Sequence, residues 1–337
     1  GWHQGSQCWR NGSPALHTNH VLERALIRTW DRAVHTAAAI GYRLPLASPA
    51  RYGVEVTHDV RYAPSTRRAH LLDVYRPIGR RSPPALLYVH GGGFAVLSKD
   101  THRIMALAFA SAGFAVFNIN YRLGPTHRFP APLQDASAAL DWVATHASEF
   151  GADAARLCLA GESAGANLVA ALAYCATHPR PESYARVLFE RDLRIRAVLP
   201  IYGLFDMQDM ERFERAGMPW WLRAALRQAG TSYVGRPLEE RAAAAPLASP
   251  LRCFQAPPGP SARALPPFFL ACGTRDPLLG DSKALCEALR RRGGRCELSI
   301  HPGEIHGFNA MLWRPEARAK WRAAFSFLER HTAVAEP

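Results

Sequence analysis

Lysine is almost missing from this chain: it stands only at Lys99, Lys283 and Lys320, so nearly all of the formal charge of +13 comes from arginine. The arginines are spread along the sequence. Only Arg290-Arg291-Arg292 forms a run, near the end of a predicted helix, where cations suit the helix dipole. A clustered basic face, the footprint of phosphate binding, is not legible, and no zinc-finger, helix-turn-helix or RNA-binding signature occurs. No nucleic-acid partner is expected. Long apolar runs are also missing, and none approaches the roughly eighteen residues that a membrane span needs. No stretch joins a basic start to an apolar core and a small-residue cleavage site. The expected location is therefore cytoplasmic, with a secreted or periplasmic form left open because the sequence starts at Gly1.

Metal and cofactor signatures are absent too. There is no Cys-x-x-Cys, His-Glu-x-x-His, Walker or dinucleotide motif, so neither a metal nor an organic cofactor is expected. The seven cysteines are an odd, widely spaced set. Cys158 and Cys272 lie within apolar runs, where free cysteine acts as a small buried hydrophobe. Cys286 and Cys296 could meet across a helix-to-strand turn; two thiols are expected there, in keeping with a reducing compartment. Asn11-Gly12-Ser13 matches a glycosylation acceptor, but without a secretory signal it carries little weight.

What is present is an ordinary globular balance, 48% hydrophobic and 20% charged over 337 residues, enough for one large core and a smaller appendage. After an opening without period, Leu22, Leu26, Trp30 and Ala33 recur at helical spacing, which predicts an amphipathic helix over 19–40, ended by Gly41 and Pro45. Strands are expected at 54–57, 70–75, 84–90, 115–121, 157–160, 195–201, 268–272 and 296–300. Helices are expected between them at 101–111, 133–149, 281–292 and 315–331, with another directly after position 163. Strands alternating with helices of this length mean a mostly parallel, doubly wound α/β sheet with helices on both faces. From 204 to 251 the alternation stops and short helices at 210–216, 219–229 and 238–245 follow one another. This insertion and the N-terminal helix would form a cap over the carboxyl ends of the strands, where open α/β sheets place ligands. The expected organisation is an N-terminal cap segment (1–50), a core in two parts (51–203 and 252–337) and a helical cap insertion (204–251).

Gly161-Glu162-Ser163-Ala164-Gly165 sits between a predicted strand and a predicted helix. Gly-x-Ser-x-Gly in that setting is a nucleophile elbow, whose small residues let the chain turn so sharply that the serine hydroxyl stands clear of the sheet. A serine hydroxyl is a weak nucleophile; it needs a base, and the base needs an orienting carboxylate. On an elbow the chain order is serine, acid, histidine. Asp276 follows the apolar strand at 268–272, and His306 follows the strand at 296–300, so both leave the sheet at the edge that carries Ser163. The oxyanion needs backbone N–H donors. Ala164 can supply one at the start of its helix, and two of Gly91, Gly92 and Gly93 the others. His90 is expected to brace that glycine loop without transferring protons.

These motifs together resemble the hormone-sensitive-lipase-like, or family IV, carboxylesterases of the α/β-hydrolase fold. The resemblance runs from Leu71 to Phe327 through His90-Gly91-Gly92-Gly93, Asn120-Tyr121-Arg122-Leu123-Gly124-Pro125, Phe129 to Asp135, the elbow, Ala248-Ser249-Pro250-Leu251, Arg275-Asp276-Pro277-Leu278 and Ile305-His306-Gly307-Phe308. It implies Ser163, Asp276 and His306 as the catalytic serine, aspartate and histidine, and Gly91 to Gly93 with Ala164 as the oxyanion hole. The sequence departs from the family at Asn120, where Asp is usual, and at Gly124, where Ala is usual. It departs again at Glu304, where a hydrophobic residue is common; Glu304 is expected to be a solvated strand-end residue. The expected activity is hydrolysis of short to medium acyl esters, with a small-molecule ester as partner and a homodimer possible for this family. Phe94, Glu162, Trp220 and Trp221 are the candidate substrate-pocket residues. The same site could cleave an amide, formamide or carbamate. Receptors built on this scaffold lack the histidine, which is present here as His306.

Overall fold

Residues that alternate at period two build the centre of the molecule. In β3 (Pro84–Val89), Ala85, Leu87 and Val89 turn to one face and Leu86 and Tyr88 to the other, and all five are buried. A strand covered on both sides needs helices on both sides. The computed structural model describes Thr29 and residues 31–333. The predicted helix start at Asn19, together with Leu22, Leu26, Trp30, Cys8 and Asn11 to Ser13, lies outside them. Around β3 are β1 (Val54–Arg61), β2 (Leu71–Pro77), β4 (Ala115–Ile119), β5 (Asp153–Glu162), β6 (Ile195–Ile201), β7 (Phe268–Gly273) and β8 (Cys296–His301). They form one sheet in the order β1-β2-β4-β3-β5-β6-β7-β8. β2 runs antiparallel to both its neighbours, and every other pairing is parallel.

Helix α1 covers 31–41. On one face of the sheet lie α2 (Arg103–Ser111) and α11 (Pro315–Thr332). On the other lie α3 (Ala131–His146), α4 (Ala164–Thr177), α5 (Ser183–Glu190), α9 (Pro250–Gln255) and α10 (Leu279–Arg291). Every residue of α4 is buried, because the sheet, α3, α5 and α9 enclose it. The sequence reading missed α5 and α9, the second of which is too short to develop a helical period. Between β6 and α9 run α6 (Arg212–Arg215), α7 (Trp220–Val234) and α8 (Leu238–Ala243). α7 continues past Gly230, where a break was expected. A side chain there would crowd Leu238 at 3.2 Å, so glycine serves close packing of α8 on α7.

Two expectations need correcting here. Cys286 and Cys296 are joined as a disulfide between α10 and β8, and are not free thiols. Glu304 is buried and not solvated, and it points to Arg314, whose Nε donates to its Oε1 at 2.9 Å. Among the described residues, Cys158, Cys175, Cys253 and Cys272 are free and buried, and no helix is long and apolar enough to cross a membrane.

Candidate active site

Ser163 sits where β5 turns into α4 with φ 52° and ψ −114°, a conformation rare for any residue with a side chain. The turn is possible because the residues two positions before and after it, Gly161 and Gly165, have none. A Cβ on Gly165 would overlap the Val89 carbonyl oxygen, and one on Gly161 would lie 2.6 Å from the Gly165 carbonyl oxygen. The Ser163 amide donates to Ile201 of the adjacent strand at 3.0 Å, which pins the elbow to the sheet edge.

The two other strand exits converge on the serine. His306 Nε2 lies 3.0 Å from Ser163 Oγ, and its Nδ1 lies 2.9 Å from Asp276 Oδ2. The Asp276 side chain is buried, and its second oxygen accepts the Leu278 amide at 2.8 Å, which holds the carboxylate still. On the far side of the serine runs the glycine loop after β3. Gly92 takes φ 109°, and a Cβ there would overlap the Val96 carbonyl oxygen. Among the described residues the amides of Gly91, Gly92, Gly93 and Ala164 donate to no protein acceptor. His90 is buried and stacks on Tyr121 with ring centroids 4.4 Å apart. Burial and the neighbouring His102 push its pKa down to about 3, so the ring is neutral and its Nδ1 donates to the Gly91 carbonyl at 2.7 Å.

Glu162 lies beneath the nucleophile. Tyr202 donates its hydroxyl to Glu162 Oε2 at 2.6 Å, Asn309 Nδ2 donates to the same oxygen at 3.0 Å, and His102 Nε2 faces Oε1 at 2.7 Å. Burial raises its pKa, but these partners outweigh burial and hold the carboxyl at about 2. The Tyr202 ring meets His306 edge-on at 4.8 Å, so this network also supports the imidazole from below. The sequence reading missed Tyr202, His102 and Asn309. Tyr202 could have been found, since it is the first residue after β6 at the edge that carries Ser163; His102 and Asn309 leave no such mark.

A cavity of about 720 Å³ opens above Ser163, with Gly91 to Gly93, Val96, Leu97, Tyr202 and His306 around it. Its roof is α7, through Ala225, Gln228, Ala229 and Ser232. Of the expected pocket residues, Glu162 borders this space and the others do not. Phe94 is fully buried and stacks on Tyr233 at 3.8 Å. Trp220 and Trp221, 74% and 59% exposed, start α7 on its outer side. A tryptophan pair looks like a pocket wall in sequence, but about two helical turns further along α7 approaches the glycine loop through an alanine: the Ala229 Cβ would lie 3.3 Å from a Cβ on Gly93.

The sheet order, the helices on both faces and the elbow define an α/β-hydrolase fold. A family model described as alpha/beta hydrolase fold matches residues 86–310, and the chain belongs to that family, in its hormone-sensitive-lipase-like branch. It is 33% identical over 235 residues to an acetyl esterase of Salmonella paratyphi A (strain ATCC 9150 / SARB42), covering 67% of this chain and 66% of that one. The acetyl esterase of Salmonella typhi matches with the same identity and coverage. The matched stretch thus spans just under two thirds of these relatives. Among solved structures, a bacterial heroin esterase superposes with a TM-score of 0.72 at 25% identity, over 89% of this chain and 90% of that chain. Esterase LipW from Mycobacterium marinum gives 0.71 at 26% identity, over 92% and 89%. An esterase from the bacterial hormone-sensitive lipase family gives 0.68 at 26% identity, over 90% of each.

Proposed function

We propose that this chain is a serine carboxylesterase that hydrolyses short to medium acyl esters through an acyl-enzyme. The observation that carries the reading is the hydrogen-bonded line from Asp276 through His306 to Ser163, ending beside backbone amides that have no acceptor of their own. His306 takes the Ser163 proton as the hydroxyl attacks the ester carbonyl. Ala164 and two glycines of the 91–93 loop receive the oxyanion, and His306 then protonates the leaving alcohol. Water, activated by the same imidazole, releases the acid. Asp276 fixes the tautomer that leaves Nε2 free to accept, and it stabilises the imidazolium once formed. In this reading α6 to α8 and the N-terminal segment act as a cap. A space roofed by α7 admits a single ester molecule and not a lipid droplet, which supports the preference for short to medium chains.

The test is Ser163→Ala assayed on p-nitrophenyl esters from acetate to palmitate. The variant is expected to lose at least about 10⁴-fold in kcat with its fold intact; activity above about a hundredth of wild type would overturn the mechanism. The wild type should peak between acetate and octanoate, and a maximum at palmitate would overturn the chain-length assignment.

A further inference from the structure

A second cavity, of about 610 Å³, lies on the other side of the glycine loop from Ser163. His90 lines it from the loop, and Leu97 borders both this space and the ester cavity, so the two share a wall at that residue. Its charged lining is lopsided. Asp100 is the carboxylate on its wall, and that group is already engaged by Lys99 at 3.2 Å and Arg103 at 3.0 Å. The Arg122 guanidinium is held by both oxygens of Asp135, from Nε at 2.9 Å and from Nη2 at 2.7 Å. His35 is tied to Ser98 Oγ through Nε2 at 2.9 Å. His127 also lines the space, and His90 is neutral. That leaves Arg67 and Arg68, side by side on the wall, with no ion pair among the described residues.

Two exposed arginines on a concave wall that are not paired with a carboxylate leave their N–H groups free to donate forked hydrogen bonds to a bound anion. We propose that this cavity receives an anionic group, a carboxylate or a phosphate, held by Arg67 and Arg68. The anion is either the remote end of an ester substrate reaching past Leu97 or a separate small anion. The first form rests on the esterase reading above, and it makes anionic esters a preferred substrate class. The second does not depend on that reading.

The experiment compares wild type with the double variant Arg67→Ala/Arg68→Ala. One arm measures kcat/KM for p-nitrophenyl butyrate and for mono-p-nitrophenyl glutarate, which are similar in size and differ in charge. If the substrate carries the anion, the ratio of anionic to neutral kcat/KM falls roughly tenfold in the variant, chiefly through KM, and the loss shrinks in about 0.5 M salt. The other arm measures thermal shifts with inorganic phosphate and with glutarate. If a free anion occupies the site, either raises the melting temperature of wild type and not of the variant. An unchanged ratio together with equal shifts for both proteins overturns the proposal, as does an equal loss on both esters without a difference in shift. If the wild type hydrolyses neither ester, the esterase reading falls, and the thermal-shift arm still decides the cavity.

Discussion

Lys320 has surroundings that suit its charge poorly. It is almost fully buried on α11, with its ammonium 3.7 Å over the ring of Trp321. Burial pushes its pKa from 10.5 down to about 7, against the opposing pull of Glu162. Between about pH 7 and 10.5 the unfolded chain binds a proton here that the folded chain does not, so stability rises with pH across that window. Lys320→Met should remove this slope and raise stability at pH 7. Urea unfolding at pH 7 and pH 9 is expected to give a wild-type gain about 2 kcal/mol larger than that of the variant; equal gains would place the ammonium in a more polar setting than its burial implies. At this scale the sequence was most legible where chemistry demands chain order. Ser163, Asp276 and His306 follow from strand exits, and the structure brings them together. Glu304 was not legible because its partner Arg314 lies across a loop whose path no periodicity reveals.

At the scale of elements, α7 joins the substrate space to the glycine loop. A Cβ on Gly93 would lie 3.3 Å from the Ala229 Cβ, Tyr233 stacks on Phe94, and a Cβ on Gly124 would overlap the Ser232 carbonyl oxygen. Where this helix meets the Gly93 and Gly124 loops it therefore has no spare room, whereas its first turn faces outward. Ala229→Leu should narrow the cavity and shift the loop, lowering kcat/KM on a butyrate ester by roughly tenfold to a hundredfold. Trp220→Ser with Trp221→Ser should leave it within about twofold. Side-by-side kinetics would refute this picture if the tryptophan variant were the more damaged. Strands buried on both faces were the easiest elements to read, since β3 and β7 are unbroken apolar runs. The six-residue α9 was hidden because fewer than two turns cannot show a period, and its place is set by packing on α10 and α4.

For the molecule as a whole, the sheet ends at β8, an edge strand paired only with β7. The Cys286–Cys296 bridge ties that edge to α10 across a sequence separation of 10. Closing a loop of that length removes freedom mainly from the unfolded chain and contributes about 2–3 kcal/mol in the chain-entropy account. Cys286→Ser with Cys296→Ser should lower unfolding stability by that order, and a reductant should affect wild type and leave the variant alone; urea titrations with and without reductant would decide it. The bridge was not legible in sequence, because spacing alone cannot tell a pair of facing thiols from a bond.

Helix α4, which starts at the nucleophile and has no outward face, bears on how this protein can change. Each of its side chains is read by a packed neighbour, so it has almost no neutral positions through which substitutions can accumulate. The first turn of α7 has many. Variation in this scaffold, natural or selected, is therefore channelled into that outer turn, where it leaves the site unchanged, while a library placed on α4 would mostly sample unfolded chains.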